Sequence, residues 1–274
     1  ARKQDGSVWA WGNNRYGQLG DGSTSNRSVP TVIPGFSGVV EIAVSDYQSI
    51  ARKQDGTVWS WGYGEHGDGN RADRSAPSVI PGLSGVVEIA VGGGYFSETH
   101  VLARKQDGGV WSWGGNKYGQ LGGGSAIRRD LPTEIAGLTD VAEVAAGAGH
   151  SLARKLDGSV LGWGKRYLPF PSRSPWLLTG VSRLAAKAEV SMAVLTTGRV
   201  LAWGNNSYGQ LGIPGPQDSA LPKQVLDPLL PTFTQGAYPV VEYANKAIEG
   251  GRYFITNQME ETKALDGIGV AGGF

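Results

Sequence analysis

Apolar and polar positions alternate along short segments of this chain, and the same alternation returns about every fifty residues. In one unit, the segments "GVVEIAV" (85–91) and "HVLARKQ" (100–106) are rich in β-branched and apolar residues. The segment "GGVWSWG" (108–114) places two tryptophans two residues apart, on one face of an extended chain. A weaker segment, "LPTEIAGL" (131–138), carries the proline typical of an edge strand. The pattern predicts four short antiparallel strands, which we call a, b, c and d.

An Asp-Gly pair separates strands b and c and predicts a tight hairpin turn with a positive φ at both residues. The pairs are Asp5-Gly6, Asp55-Gly56, Asp107-Gly108 and Asp157-Gly158, and Thr197-Gly198 takes their place in the fifth unit. No helical periodicity separates the units. Four strands repeated at this period are typical of a β-propeller.

The predicted strand c of each of the first five units ends in a Trp-Gly pair. Burying one tryptophan removes about 150–250 Å² from water, or roughly 4–6 kcal/mol at about 25 cal/mol per Å² before entropy is subtracted. We therefore expect these rings to anchor each blade on its neighbour. The predicted anchors are Trp11, Trp61, Trp113, Trp163 and Trp203.

The units predict one all-β domain over residues 1–274, a propeller of four-stranded antiparallel blades. Six repeats are recognisable, and seven blades are possible. The repeats lie near 1–36, 37–84, 85–138, 139–179, 180–239 and 240–274. The first unit begins at strand b and the last lacks strand d, so the closing blade is either shared by the termini or incomplete. The alternative is a fragment of a longer repeat array.

Composition narrows the function classes. Forty per cent of the residues are apolar, which is enough for a core. The net charge of +1, from 25 basic and 24 acidic side chains, argues against a nucleic-acid partner. The absence of cysteine excludes disulfides and thiolate sites, and fits an exported bacterial protein at the cell surface or outside the cell. No apolar run reaches about 18 residues, so we expect no membrane insertion.

Side chains that could carry chemistry are scattered. The three histidines, His66, His100 and His150, come from three units and have no second ligand at metal spacing. For His100 and His150, structural hydrogen bonds are favoured over catalysis. No nucleophile or phosphate-loop motif occurs. We therefore expect no enzyme activity, catalytic residue, metal or cofactor.

The strand order places the a–b and c–d loops on one side of the disc and the b–c turns on the other. The b–c side repeats "RKQDG", which predicts a solvated rim of mixed charge rather than an anion-binding crown. The loops of the other side vary and carry aromatics, as expected of a binding surface. Its candidate residues are Tyr47, Tyr95, Phe96, Arg252 and Tyr253 on a–b loops, and Tyr16, His66, Tyr118 and Tyr208 on c–d loops. The three tyrosines in "YGQLG", Tyr16, Tyr118 and Tyr208, fit loop packing as well.

The segments "GSVWAWGNNRYGQLG" (6–20), "GGVWSWGGNKYGQLG" (108–122) and "VAAGAGHSLARKLDG" (144–158) resemble the regulator of chromosome condensation repeat. The resemblance covers nearly the whole chain and implies a β-propeller, typically of seven blades. A secreted bacterial member, the propeller-type β-lactamase inhibitor, is similar in its "GGYF"-like a–b loops, which it uses to bind its target. The chain departs from the family at 164–176, which lacks the "NxxGQLG" loop, and at Gly272, where tryptophan is expected.

These features together predict a non-enzymatic scaffold that binds a protein partner, with the chain acting as a monomeric ring. One alternative, which the resemblance implies, is an effector with guanine-nucleotide exchange activity on a small GTPase. Another is a structural repeat module of a larger exported or surface protein.

Overall fold

A computed structural model describes residues 1–94, 97–165, 172–173 and 178–225 of the chain. These residues form strands and turns, without a helix among them, as the all-β prediction requires. The strands are β1 (Trp9–Gly12), β2 (Arg27–Val32), β3 (Val39–Val44), β4 (Gln48–Lys53), β5 (Val58–Gly62), β6 (Arg74–Val79), β7 (Val86–Gly94), β8 (Ser97–Lys105), β9 (Val110–Gly114), β10 (Arg129–Glu134), β11 (Val141–Ala146), β12 (His150–Lys155), β13 (Val160–Gly164), β14 (Ser172–Arg173), β15 (Val181–Lys187), β16 (Val190–Leu195), β17 (Val200–Gly204) and β18 (Ser219–Gln224).

The strands assemble into antiparallel sheets in chain order, as predicted. Four sheets have four strands each, β3–β6, β7–β10, β11–β14 and β15–β18, and in each the order along the sheet is a, b, c, d. The first sheet contains β1 and β2, which are strands c and d, and a bridge from Arg2 to Val8 marks the start of strand b. We call these sheets blades 1 to 5. The predicted repeat boundaries stay a prediction, and the last repeat, near 240–274, lies outside the described residues.

The b–c turn differs from the prediction, because only its glycine has a positive φ. Gly56 has a φ of 77°, and its amide donates to the carbonyl of Lys53 at 3.0 Å. Gln54 and Asp55 are therefore the central residues of a four-residue turn, and Gly56 follows as a left-handed bulge. The Asp55 carboxylate accepts from the Thr57 amide at 2.9 Å, which holds the aspartate in the ordinary region of φ.

The b–c turns of blades 1 to 4 also join each blade to the next one. The first residue of strand a in the following blade donates its amide to the turn glycine: Val86 to Gly56 at 3.2 Å, and Val181 to Gly158 at 3.2 Å. A Cβ on Gly56 would lie 3.1 Å from the amide nitrogen of Gly85. The glycine thus serves both the turn and this close approach.

The hydrophobic core lies between neighbouring blades. One cluster, for example, combines Ile50 and Val58 of blade 2 with Ile89, Val101 and Trp113 of blade 3. Four of the five expected anchors, Trp61, Trp113, Trp163 and Trp203, are at most 3% exposed. Burial in this position is what a ring of wedge-shaped sheets requires.

Trp61, Trp113 and Trp163 contact the c–d loop of the preceding blade. The Trp61 ring lies under Gly20, where a Cβ would be 2.7 Å from the indole nitrogen, and its Nε1 donates to the carbonyl of Gln18 at 2.9 Å. Trp163 repeats this arrangement with Gln120, at 2.7 Å. The expectation for Trp11 needs correction, since this ring is 50% exposed. The described residues place no preceding blade against it.

The outer edge of the blades carries a proline. The fourth residue of each of four d strands is proline, namely Pro30 in β2, Pro77 in β6, Pro132 in β10 and Pro222 in β18. Proline has no amide hydrogen to offer, so these strands cannot present a continuous row of donors. The pairing of strands c and d shifts register beside it, as between Ser60 and Gly62 in β5.

Strand d of blade 3 also starts earlier than the sequence suggested. It spans Arg129–Glu134 rather than 131–138, and the chain then turns inward so that Ile135 and Leu138 are buried. Within the ranges that the structure describes, no helix is long and apolar enough to cross a membrane.

Candidate protein-binding face

Three tyrosines from neighbouring loops meet at the junction of blades 1 and 2. Tyr16 lies in the c–d loop of blade 1, Tyr47 in the a–b loop of blade 2, and Tyr63 in the c–d loop of blade 2. The Tyr16 ring centroid is 5.2 Å from that of Tyr47 and 5.0 Å from that of Tyr63, with the rings edge to face. We call these residues the tyrosine triad. Its existence places the a–b and c–d loops on one face.

The backbone fixes the triad in place. The amide of Tyr63 donates to the carbonyl of Tyr47 at 2.8 Å, and the amide of Tyr16 donates to Oε1 of Gln18 at 2.9 Å. A Cβ on Gly17 would lie only 2.5 Å from the Cα of Ser75, so this loop rests directly on strand d of blade 2. Tyr63 is 47% exposed, whereas Tyr16 and Tyr47 are half-buried.

Sequence reasoning missed Tyr63. It directly follows Trp61-Gly62, because the c–d loop of blade 2 is shorter than the "WGNNRYGQLG" loop of blade 1. The hydrogen bond from the Tyr63 amide to the Tyr47 carbonyl is matched by one from the Lys165 amide to the Gly149 carbonyl, at 2.7 Å. Tyr63 and Lys165 therefore occupy equivalent positions in their blades. An alignment of loops that allows this shortening would have found it.

At the corresponding junction of blades 3 and 4, one tyrosine and two lysines take the place of the three tyrosines. Here Tyr118 packs on Gly149, where a Cβ would lie 2.7 Å from the tyrosine ring. The Nζ of Lys165 is 5.4 Å and the Nζ of Lys117 is 5.7 Å from the centroid of the Tyr118 ring. Lys165 also forms an ion pair with Glu189 of blade 5. We call this arrangement the Tyr118 site.

The remaining candidates divide into three groups. Tyr208 is 95% exposed on the c–d loop of blade 5. The expectation that His66 contributes to the face is wrong, because its side chain is buried completely, in the position held by leucine in the "YGQLG" loops. Tyr95, Phe96, Arg252 and Tyr253 lie outside the described residues.

His66 is instead a core residue. Its Nδ1 lies 2.8 Å from the hydroxyl of Ser60 in the same blade. Burial, together with a smaller effect of the nearby Arg74 guanidinium, lowers the pKa of His66 to about 4. The ring is therefore neutral at physiological pH.

His100 and His150 make the structural hydrogen bonds that the sequence suggested. The Nε2 of His100 is 3.0 Å from the hydroxyl of Ser151, and the Nε2 of His150 is 2.8 Å from that of Ser191. Each contact joins one blade to the next. Burial, with a smaller effect of His150, lowers the pKa of His100 to about 3.

The arginine and the lysine of the repeated "RKQDG" segment have different partners. The arginine turns towards a glutamate of strand a rather than the neighbouring aspartate: Arg52 to Glu41 at 2.7 Å, and Arg104 to Glu88 at 2.7 Å. The lysine lies over the other tryptophan of strand c, as Lys53 does 4.4 Å from the Trp59 ring centroid. Arg154 pairs with Glu143 in the same way, at 2.9 Å.

The glutamates of these pairs also interact across blades. The Oε1 of Glu41 accepts from the amide of Ile89 at 3.2 Å. Burial raises the pKa of Glu88 to about 7, an effect opposed by Arg104 and increased by the neighbouring carboxylates of Glu143 and Glu41.

The a–b loop that carries Tyr47 is tied to other blades on both sides. The Nζ of Lys187 in blade 5 donates to the carbonyl of Val44 at 3.3 Å, and Ser45 lies 3.3 Å from Thr99 of blade 3, hydroxyl to hydroxyl. Burial lowers the pKa of Lys187, while the Asp46 carboxylate opposes this shift.

Two further features of the structure concern the binding of small ligands and metal ions: a cavity, and the arrangement of the His, Asp and Glu side chains. A cavity of about 360 Å³ lies between blade 1 and blade 2, lined mainly by apolar side chains such as Trp9, Trp11 and Ile42. Among the described residues, no group of three or more His, Asp or Glu side chains is arranged to hold a metal ion.

Comparison with known proteins identifies a repeat profile in this chain. The profile described as "Regulator of chromosome condensation (RCC1) repeat" matches residues 5–52, 55–96, 107–154 and 197–241, which is more than half of the chain. A second profile with the same description matches 86–120 and 181–210.

Among curated proteins, the human E3 ubiquitin-protein ligase HERC2 is 35% identical over 151 residues, which is 54% of this chain and 3% of HERC2. The ultraviolet-B receptor UVR8 of Arabidopsis thaliana is 27% identical over 155 residues, 54% of this chain and 34% of UVR8. The chain therefore spans well under half the length of either relative.

Among solved structures, human WBSCR16 is 26% identical with a TM-score of 0.70, covering 82% of this chain and 64% of that one. Yeast RCC1 (Prp20), bound to Kap60, is 23% identical with a TM-score of 0.68, covering 82% of this chain and 58% of that one. These likenesses agree with the propeller architecture of the described blades.

Proposed function

Because the chain belongs to the regulator of chromosome condensation (RCC1) repeat family, we propose that it is a non-enzymatic scaffold that binds a protein partner on its a–b and c–d loops. Its relatives carry names as different as a ubiquitin ligase and an ultraviolet-B receptor. A repeat that occurs in proteins of such different function is more readily explained as a binding surface than as the site of one particular reaction.

The tyrosine triad is the observation that supports this proposal. Aromatic side chains with an apolar ring and a polar tip dominate the binding energy of protein interfaces. The triad presents three such rings from three loops, and Tyr63 is almost half exposed. The loops are held by backbone hydrogen bonds, so little conformational entropy is lost when a partner docks.

The face extends beyond the triad. Tyr118 and the exposed Tyr208 are its proposed continuation around the disc. Tyr95, Phe96, Arg252 and Tyr253 remain proposed contacts on the same side. A bacterial origin, an extracellular location, a monomeric ring and the likeness to the propeller-type β-lactamase inhibitor belong to the proposal as well.

The proposal is tested with the double variant Tyr47→Ala/Tyr63→Ala. The full chain is used to capture partners from an extract of its source, and the captured protein is then titrated against purified variants. We expect the double variant to bind at least about tenfold more weakly, because two aromatic anchors are lost.

The matched control is Leu156→Ala, which removes a 74% exposed apolar side chain on the b–c side. Equal binding by the wild type and the tyrosine variant would count against the face. Acceleration of nucleotide release from a small GTPase would instead support the exchange-factor alternative. The module of a larger exported or surface protein stays a prediction.

A further inference from the structure

We infer that the partner segment recognised by this face is acidic, with carboxylates that lie beside Tyr16 and Tyr118. The inference rests on the proposed function, since it names the chemistry of the partner at the same face. Its basis is the pairing of cations with tyrosines in the c–d loops.

The residue before the tyrosine is a cation at both aromatic junctions. The guanidinium carbon of Arg15 is 5.5 Å from the centroid of the Tyr16 ring, and the Nζ of Lys117 is 5.7 Å from that of Tyr118. Both cations are exposed, and neither has an ion-pair partner within the part of the chain that the structure describes. In blade 5, Ser207 takes this position.

Most other charges on these loops are paired within the chain, while Asp73 and Arg129 have no ion-pair partner among the described residues. The matched pairs are Arg27 with Asp21, Arg74 with Asp68, Arg71 with Asp130, Arg128 with Glu65, and Lys165 with Glu189. Asp46, next to Tyr47, acts on the buried ammonium of Lys187. Directly before Tyr16 and Tyr118, the charge without an ion-pair partner among the described residues is therefore positive.

A cation stacked on a tyrosine is well placed to receive a carboxylate. Stacking limits the rotamers of the long side chain while its N–H groups stay directed outward, and a guanidinium can hold a carboxylate with two parallel hydrogen bonds. The tyrosine hydroxyl can donate a further bond. The apolar rings of the triad suit an aromatic side chain next to the acid. The fitting segment thus combines acidic and aromatic residues.

The test uses three fluorescein-labelled peptides of the same length. The first alternates Glu with Phe, the second replaces every Glu by Gln, and the third replaces every Glu by Lys. By fluorescence anisotropy, we expect the Glu peptide to bind at least about tenfold more tightly than the Gln peptide. We also expect its affinity to fall as NaCl rises from about 50 mM to about 300 mM.

The variant Arg15→Glu/Lys117→Glu should remove the preference for the Glu peptide and favour the Lys peptide. The control Arg2→Glu/Arg199→Glu makes the same change of charge at exposed arginines on the b–c side, and should bind as the wild type does. Thermal unfolding confirms that each variant is folded.

The outcomes separate this inference from the proposed function. If the Glu and Gln peptides bind equally, and Tyr47→Ala/Tyr63→Ala abolishes both, the face stands and its preference for acids is overturned. If the tyrosine variant changes nothing while the charge variant does, the preference for acids stands and the proposed contribution of the tyrosine triad is overturned. Tighter binding of the Lys peptide to the wild type, or no binding of the Glu peptide, overturns the inference outright.

Discussion

At the scale of single residues, two glycines make room for the inner histidines. A Cβ on Gly92 would lie 2.2 Å from Cε1 of His100 and 2.1 Å from the carbonyl oxygen of Gly147. A Cβ on Gly147 would likewise lie 2.1 Å from Cε1 of His150. Neither glycine has a positive φ, so it is the missing side chain, rather than backbone freedom, that these positions require.

Glu88 gives the molecule a pH dependence that can be measured. Its pKa is raised to about 7 in the fold from an ordinary 4.5. The folded chain therefore holds this proton more tightly than the unfolded chain. The stability that it contributes is complete below about pH 4.5 and is lost as pH rises through about 7.

We expect Glu88→Gln to flatten the pH profile of the free energy of unfolding. Between about pH 5 and about pH 8 the wild type should lose stability relative to the variant by on the order of 3 kcal/mol, as the buried carboxyl ionises. Urea unfolding at several pH values measures this difference. Parallel profiles for the two proteins would contradict the assignment.

Sequence reasoning reached some of these residues and not others. The positions of Trp61, Trp113 and Trp163 follow from a repeated Trp-Gly pair, because each blade must bury similar surface. The partner of Arg52 did not follow, since Glu41 lies on another strand and only the register of β3 and β4 brings them together. His66 was misplaced because its loop is shortened, which moves a polar residue into a core position.

At the scale of elements, the same contact recurs between blades: the c–d loop of one blade packs on the strand-c tryptophan of the next. We call this contact the loop–tryptophan joint. The loop offers a glycine to the ring and a carbonyl to its Nε1, as Gly20 and Gln18 do for Trp61. The joint of Trp113 lacks the second part. Within the described residues, the Nε1 of Trp113 has no hydrogen-bond partner, and the carbonyl of Glu65 accepts from Gln48 instead.

This difference supplies a matched pair of variants. Trp163→Phe removes a ring with a hydrogen bond, and Trp113→Phe removes an equally buried ring without one. We expect Trp163→Phe to cost about 1 kcal/mol more in the free energy of unfolding, the value of one buried hydrogen bond. Urea unfolding of both variants provides the measurement. A smaller loss for Trp163→Phe would contradict this account of the joint.

The strands were more predictable than the loops between them. Alternation of apolar residues fixes the faces of β7 and β8, and the two tryptophans mark β9 in the same way. The loops follow turn geometry and contacts with other blades, which a single unit of sequence does not contain. The triad shows this, since Tyr16, Tyr47 and Tyr63 come from three loops and two blades.

At the scale of the whole molecule, Lys187 connects parts of the ring that are not neighbours. It extends from β15 in blade 5 to the carbonyl of Val44 in blade 2, across 143 residues of sequence. The connection holds the loop that carries Tyr47. Its effect on the binding face is therefore a property of the ring rather than of one blade.

We expect Lys187→Met to loosen residues 45–48. The carbonyl of Val44 loses its donor and Asp46 loses a nearby cation, so the amides of this loop should exchange hydrogen several-fold faster. Hydrogen exchange followed by mass spectrometry measures the change. The control is Lys155→Met, which breaks an exposed pair with Asp140 at 3.7 Å. Unchanged exchange in the Lys187 variant would refute the connection.

The prolines of the outer strands decide how such a fold can diversify. Pro30, Pro77, Pro132 and Pro222 each deny a new strand one of the hydrogen bonds that it would need at the circumference. Widening a blade is therefore discouraged, and so is fusion of one disc with another when many are crowded together. Insertions are best tolerated in the loops above and below, so evolutionary novelty in this architecture is steered to its two flat sides.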